Sequence, residues 1–252
     1  MTSDPQPAPE GAAQRPKVRL HVDQPLGPGQ QISLSPDAAH YLFAVMRLGA
    51  GAVVALFDGR SGEWAARVEP EGKRGGRAVC LAQTAPQRDP ADVWLMFAPL
   101  KKARTDFLVE KAVELGVARL VPVTTRHTNA DRINPDRMRA QIAEAAEQCG
   151  ATHLPALEEP LRPLDQVLAG WPAGRALVWA DEGLAGAAPA PLPPAPAALL
   201  VGPEGGFAPA ERARLGALGF VQPLALGPRI LRAETAALAA LVLWQAAAGD
   251  WR

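Results

Sequence analysis

The run Val201-Gly202-Pro203-Glu204-Gly205-Gly206-Phe207 follows the apolar stretch Ala197 to Leu200 and precedes a helix-like segment that opens at Pro209. It sits at a strand-to-helix turn, the basic joint of an α/β fold. Gly202, Gly205 and Gly206 permit positive φ and close approach of the backbone, and Pro203 stiffens the turn, so main-chain N–H and C=O groups are offered to a ligand. Glu204 sets this turn apart from a phosphate cradle, whose nest of N–H groups is kept clear of anions; neither G-x-G-x-x-G nor G-x-x-x-x-G-K-S/T is present. The turn suits a cationic or neutral ligand, or else it is an ordinary tight turn with a solvated glutamate.

Outward from this turn the chain alternates strands and helices. VWLMFA (93–98) reads as a buried strand, Arg104 to Leu115 as a helix ending at Gly116, and ARLVPV (118–123) as the next strand. Asn134 supplies an N-cap and Pro135 the first helical position, with Met138, Ile142, Ala145 and Cys149 as an apolar stripe and Gly150 as the stop. ALVWA (176–180), AALLV (197–201) and FVQPLAL (220–226) are further strands, so a mainly parallel sheet with helices on both faces is expected. Ala185 to Pro196 holds five prolines and reads as an exposed, extended connection. The last segment, AALAALVLWQAAAG, is apolar nearly all round and needs cover on every side, either from the core or from a second subunit.

Upstream the pattern differs. VRLHV (18–22), QISL (31–34), AVVALFD (52–58), EWAARVE (63–69) and RAVCLA (77–82) are short β-like runs separated by turns such as LGPGQ and DGRSG, which indicates a small barrel-like β domain. One helix crosses it over DAAHYLFAVMRLG, where Ala39, Leu42, Phe43 and Met46 recur at helical spacing, and His40 and Arg47 fall off that stripe. The polar segment TAPQRDPAD (84–92) marks the boundary between the two parts. Residues 1–16 carry four prolines without apolar periodicity and read as a disordered or extended tail.

The chain has 252 residues, 48% hydrophobic and 21% charged, an ordinary composition for one or two soluble globular domains. The N-terminus lacks an apolar secretory core, and no apolar run approaches the ~18 residues of a membrane span. A cytoplasmic protein with no membrane partner is expected. Two cysteines far apart and four histidines without ligand spacing leave no basis for structural zinc or a disulfide framework. Net charge is zero, but Lys and Arg outnumber Asp and Glu nine to six over 17–88 and nine to five over 101–139, then fall to seven against eleven over 140–252. Such asymmetry fits a polyanion bound on one side, and equally a chance scatter of surface charge.

A second Gly/Pro turn, LGPRILRAET (226–235), precedes the last segment, so two such loops can lie side by side at the carboxyl edge of the sheet, where folds of this kind bind ligands. With these loops stand HYLFAVMRLGAG, LFDG, KKARTDFLVEKAVELGV, VPVTTRHT and EAAEQCG, in an order that covers nearly the whole chain after the tail. The set closely resembles the SPOUT, or trefoil-knotted, methyltransferases, specifically the bacterial small-subunit (16S) ribosomal RNA uridine-N3 methyltransferases. The resemblance implies a PUA-like RNA-binding domain over 17–86 and a knotted α/β catalytic domain over 87–252. It also implies S-adenosylmethionine as methyl donor, no metal, and a homodimer acting on 16S rRNA within a small ribosomal subunit or an assembly intermediate. The cofactor residues it implies are Leu200, Val201, Gly202, Pro203, Glu204, Gly205, Gly206, Leu226, Gly227, Ile230, Leu231, Arg232 and Thr235. The chain departs from the family at Ala151, where an arginine commonly follows EQCG; His153 is the candidate replacement for its contacts.

Methylation at uracil N3 removes an imide proton several pKa units less acidic than a carboxylic acid, and each unit of mismatch costs about 1.4 kcal/mol. A carboxylate is a poor base for it, so positioning and cationic stabilisation of the uracil oxygens should contribute more. Arg232 is the candidate for that stabilisation; Glu234 either accepts the proton or organises the loop. His40, Arg47, Lys101, Lys102, Arg104 and Arg126 are the candidate phosphate contacts, each alternatively a solvated charge. Two other readings are a non-catalytic RNA-binding or ribosome-assembly protein on the same fold, and a SPOUT enzyme acting on another RNA position.

Overall fold

The computed structural model describes residue 16 and residues 18–72, 75–130, 132–188 and 190–251. The expected tail thus lies, but for Pro16, outside the described residues. The chain divides into two compact units, Met1–Gln87 and Arg88–Arg252.

The first unit is a five-stranded sheet in the order β1 (Arg19–His21), β3 (Val53–Phe57), β4 (Glu63–Glu71), β5 (Gly75–Ala85), β2 (Gln31–Ser33). All pairs are antiparallel except β1 with β3. Ile32, Leu42, Val54, Leu56, Ala66, Val68 and Ala78 are sealed in its core, as alternation along half-buried strands requires. The expected helix is short: α1 (Pro36–His40), capped by the Ser35 hydroxyl, passes into a π-helical turn over Tyr41–Val45. This corrects the expected stripe at one position. Ala39 and Leu42 are buried, but Met46 is 41% exposed. The wide turn, closed by the Met46 N–H on the Tyr41 carbonyl at 2.8 Å, adds a residue to the spacing, and Arg47 at φ 54° ends the helix.

The second unit is built on a seven-stranded sheet whose described pairs are all parallel. Its main order is β12 (Val221–Leu224), β10 (Ala176–Ala180), β11 (Ala197–Val201), β6 (Val93–Phe97), β7 (Arg119–Thr124), β8 (Ala156–Leu157), with β9 (Arg162–Pro163) also on β7. Register sets Met96 beside Val121 and Leu200 beside both Met96 and Trp179. That face packs on Leu164 and Leu168 of α4 (Leu164–Ala169), on Phe207, and on Leu215 of α5 (Pro209–Ala217). α2 (Lys102–Glu114) packs on both α3 (Pro135–Cys149) and α6 (Ala233–Ala248), and α6 packs on β10 and β11.

Local chemistry explains the helix ends. The Asn134 side chain accepts the Arg137 N–H at 3.0 Å, Pro135 opens α3, and Gly150 closes it at φ 80°. Cys149 continues the face of Met138, Ile142, Ala145 and Ala146 at helical spacing, but as the last residue of the helix it is exposed rather than buried with them. α6 settles the question of its apolar surface in part: Ala237, Ala240, Leu241 and Trp244 are buried, while Val242 and Leu243 are 39% and 43% exposed.

Candidate functional site

Because the strands are parallel, the segments after β6, β10, β11 and β12 emerge at one edge, where the strand order reverses direction. There a cavity of about 390 Å³ is lined by Val201, Gly202, Pro203, Glu204 and Gly206 from one loop and by Leu226, Gly227, Arg229, Ile230, Leu231 and Arg232 from the other. Ala180, Asp181, Glu182 and Ala185 line it from the end of β10, Ala233 and Ala236 from the first turn of α6, and Arg104 from α2.

Two glycines are required, Gly202 by the packed ring beside it and Gly206 by its positive φ. A Cβ on Gly202 would stand 2.7 Å from the Phe207 ring, itself edge-on to Trp179. One on Gly206, at φ +66°, would stand 2.6 Å from the Glu182 carboxylate. The loop is also pinned from outside, since His127 Nδ1 lies 2.9 Å from the Gly205 carbonyl and 3.2 Å from that of Gly206.

Charge in the lining is mixed. Asp181, Glu182 and Glu204 face Arg104, Arg229 and Arg232. Arg212 neutralises Asp181 at 2.7 Å and reaches Glu182 at 3.2 Å. Glu204 makes its contact with Arg104, whose Nη1 is 3.2 Å from Oε1, and the same guanidinium has its Nε 3.6 Å from Glu234 Oε1. Glu234 is 13% exposed at its side chain, and its Oε2 is buried with no hydrogen-bond partner. Arg104 is aimed this way by Thr105, whose buried hydroxyl bonds both the N–H and the C=O of Leu100 and fixes the start of α2. Arg232 is the N-cap of α6, exposed, with no ion-pair partner among the described residues.

Of the thirteen cofactor residues expected from sequence, ten line this cavity. Leu200 is fully buried in the core, Gly205 faces His127, and Thr235 is exposed beyond the lining. Of the expected phosphate contacts, Lys101, Lys102 and Arg126 are exposed at the same sheet edge, whereas Arg104 turns into the cavity. His40 and Arg47 are exposed on the first unit. Sequence reasoning missed Asp181 and Glu182, although their place directly after the strand ALVWA was a usable signal. Ala151 lies on a separate cavity of about 230 Å³ with Glu114, His153 and Asp250, and His153 Nδ1 is 3.5 Å from Asp89 Oδ1.

The family model for an RNA methyltransferase domain matches residues 87–245, and that for an RNA methyltransferase PUA domain matches residues 34–79. Ribosomal RNA small subunit methyltransferase E of Synechocystis is 32% identical, over 83% of this chain and 71% of its own length. The chain belongs to the ribosomal RNA small subunit methyltransferase E family. Its member from Mycobacterium bovis is 30% identical over 92% of this chain and 95% of its own length. The crystal structure of the Neisseria gonorrhoeae member, bound to S-adenosyl methionine, superposes with a TM-score of 0.82 at 28% identity, covering 93% of this chain and 99% of that one. Membership makes the first unit PUA-like and the second an RNA methyltransferase fold. Among the described residues no helix is long and apolar enough to cross a membrane, and no cluster of His, Cys, Asp and Glu could hold a metal.

Proposed function

We propose that the chain is an S-adenosylmethionine-dependent enzyme that methylates N3 of a specific uridine in small-subunit ribosomal RNA. The observation that carries this reading is the two-loop cavity at the carboxyl edge, lined by carboxylates and guanidinium groups in equal number. That mixture fits a ligand bearing both signs of charge, as this donor does, and the S-adenosyl methionine in the Neisseria relative supports it. When bound, the donor supplies an electrophilic methyl on a sulfonium.

The chain's own residues do the rest. The main chain of 201–206 and 226–231 holds the donor, and Glu204 and Glu182 face its positive charge. Arg232, free of ion pairing among the described residues, stabilises negative charge developing on the uracil oxygens. Glu234, held near Arg104, organises the loop at the start of α6; its unpartnered Oε2 leaves it one acceptor site for a proton. Residues 17–86 bind RNA, with His40 and Arg47 on phosphate, and residues 87–252 form the catalytic domain with a C-terminal trefoil knot. Lys101, Lys102 and Arg126 extend the phosphate contacts. The exposed Val242 and Leu243 of α6 and Phe107 of α2 support pairing into a homodimer, acting in the cytoplasm on rRNA within a small subunit or its assembly intermediate.

The test is methyl incorporation from labelled donor into small-subunit particles of a deletion strain, with the product nucleoside identified by mass spectrometry as 3-methyluridine. Arg232→Ala is expected to lower turnover about 10²- to 10³-fold while donor binding stays measurable. Unchanged turnover removes Arg232 from the mechanism. Intact RNA binding without incorporation by the wild type would support the non-catalytic reading that Ala151 favours.

A further inference from the structure

We propose that a second cavity at the carboxyl edge of the same sheet is a subsite for a nucleotide flanking the methylated base. This rests on the reading that the substrate is RNA. The cavity, of about 380 Å³, lies between the start of α2, the segment before α3 and α3 itself. Its floor is apolar: Pro99, Leu100 and Met138 are buried, and Ile133 is half-buried. Its rim is cationic. Arg137 is neutralised by Asp106, but Lys102 and Arg132 are exposed and have no ion-pair partner among the described residues.

An apolar floor takes the face of a base, and unpaired cations at the rim take phosphate; single-stranded RNA is bound by this combination. Gln141, half-buried at the wall, offers an amide to a base edge. The charge contrasts with that of the donor cavity, where three acids line the wall; here, among the described residues, Asp106 is the one acid in the lining, and it is already paired. The two cavities share a wall. Arg104 faces the donor cavity, and Lys102 and Thr105, on the same helical turn, line the other. A helix with its side chains is about 10–12 Å across, so an occupant here is a neighbour of a base placed at the donor methyl, not that base itself.

Fluorescence anisotropy with a labelled uridine-rich RNA oligonucleotide tests the subsite independently of turnover. The double variant Lys102→Glu, Arg132→Glu should bind RNA at least tenfold more weakly, with the slope of log affinity against log salt flattened by about 0.7 per lost phosphate contact. Ile133→Trp, which fills the floor without changing charge, should weaken binding severalfold and leave that slope unchanged. Donor affinity by calorimetry and melting temperature should match wild type in both, and KM for rRNA should rise while kcat holds. RNA affinity within twofold of wild type in both variants would overturn the proposal. So would competition by free uridine monophosphate as strong as by the oligonucleotide, which would assign the cavity to a mononucleotide. A wild type that binds RNA through these residues yet transfers no methyl would sink the proposed reaction and still support the subsite.

Discussion

Two turns of similar composition do opposite things with their acid. In the first unit, Asp58 heads the turn DGRSG and spends its carboxylate on its own surroundings. Oδ1 accepts the N–H groups of Arg60 at 2.9 Å and Ser61 at 2.6 Å, and Oδ2 accepts the Ser61 hydroxyl at 2.7 Å and the Leu26 N–H at 3.3 Å. In the second unit, Glu204 sits in GPEGG, and its hydrogen bond runs to Arg104, a hundred residues away, at 3.2 Å. The shorter Asp side chain reaches back to the backbone that follows it, while the longer glutamate, behind Pro203 and ahead of two glycines, is projected away from the turn. The first arrangement holds a turn shut; the second presents a charge to a cavity.

The largest expected effect separates the two on stability. Asp58→Ala removes several charge-assisted hydrogen bonds and should destabilise the first unit by about 2 kcal/mol, read as faster hydrogen exchange of the amides in β3 to β5. Glu204→Ala loses one ion pair between groups 29% and 34% exposed, so its melting temperature should shift by less than about 1 kcal/mol warrants. A comparable loss at both turns would end the contrast.

Activity should reverse the order. Arg104→Ala leaves Glu204 and Glu234 without their shared cation and should lower methyl transfer about tenfold, roughly 1.4 kcal/mol, seen in donor KM as well as in turnover. Asp58→Ala should leave both parameters within twofold of wild type in steady-state assays.

The smallest effect is in pH. Burial would raise the Asp58 pKa, but the Ser61 hydroxyl and the N–H groups of Ser61, Arg60 and Leu26 outweigh it and hold the carboxyl below its ordinary value. A folded pKa below the unfolded one contributes stability that is present above the unfolded value, about 3.9, and lost as pH falls through the folded one. The difference in unfolding free energy between wild type and Asp58→Asn should therefore be constant near neutrality and shrink below about pH 4. A difference that grows with acid would contradict the assignment.

Much of the fold was legible because its determinants are local. Asn134, Pro135 and Gly150 delimit α3 by capping and backbone preference alone, and the strands of both sheets other than β8 and β9 follow from short apolar runs between turns. Residues 151–175 were not legible, since β8, β9 and α4 are two, two and six residues long, too short for any period to show. The π-helical turn at Tyr41–Val45 was equally hidden, because which backbone hydrogen bond wins there depends on how Leu42 and Phe43 settle into the β core.

The candidate site divides along the same line. By itself the sequence determined that two Gly/Pro loops follow strands and that one carries an acid, since glycine, proline and apolar periodicity act over a few residues. Only the tertiary structure decided where that acid points. Arg104 and Glu204 meet because β6 and β11 are parallel neighbours, and no local preference encodes a pairing across a hundred residues. The same packing moved Arg104 from the expected phosphate surface into the cavity, and set Asp181 and Glu182 beside a loop that follows them in the chain by some twenty residues.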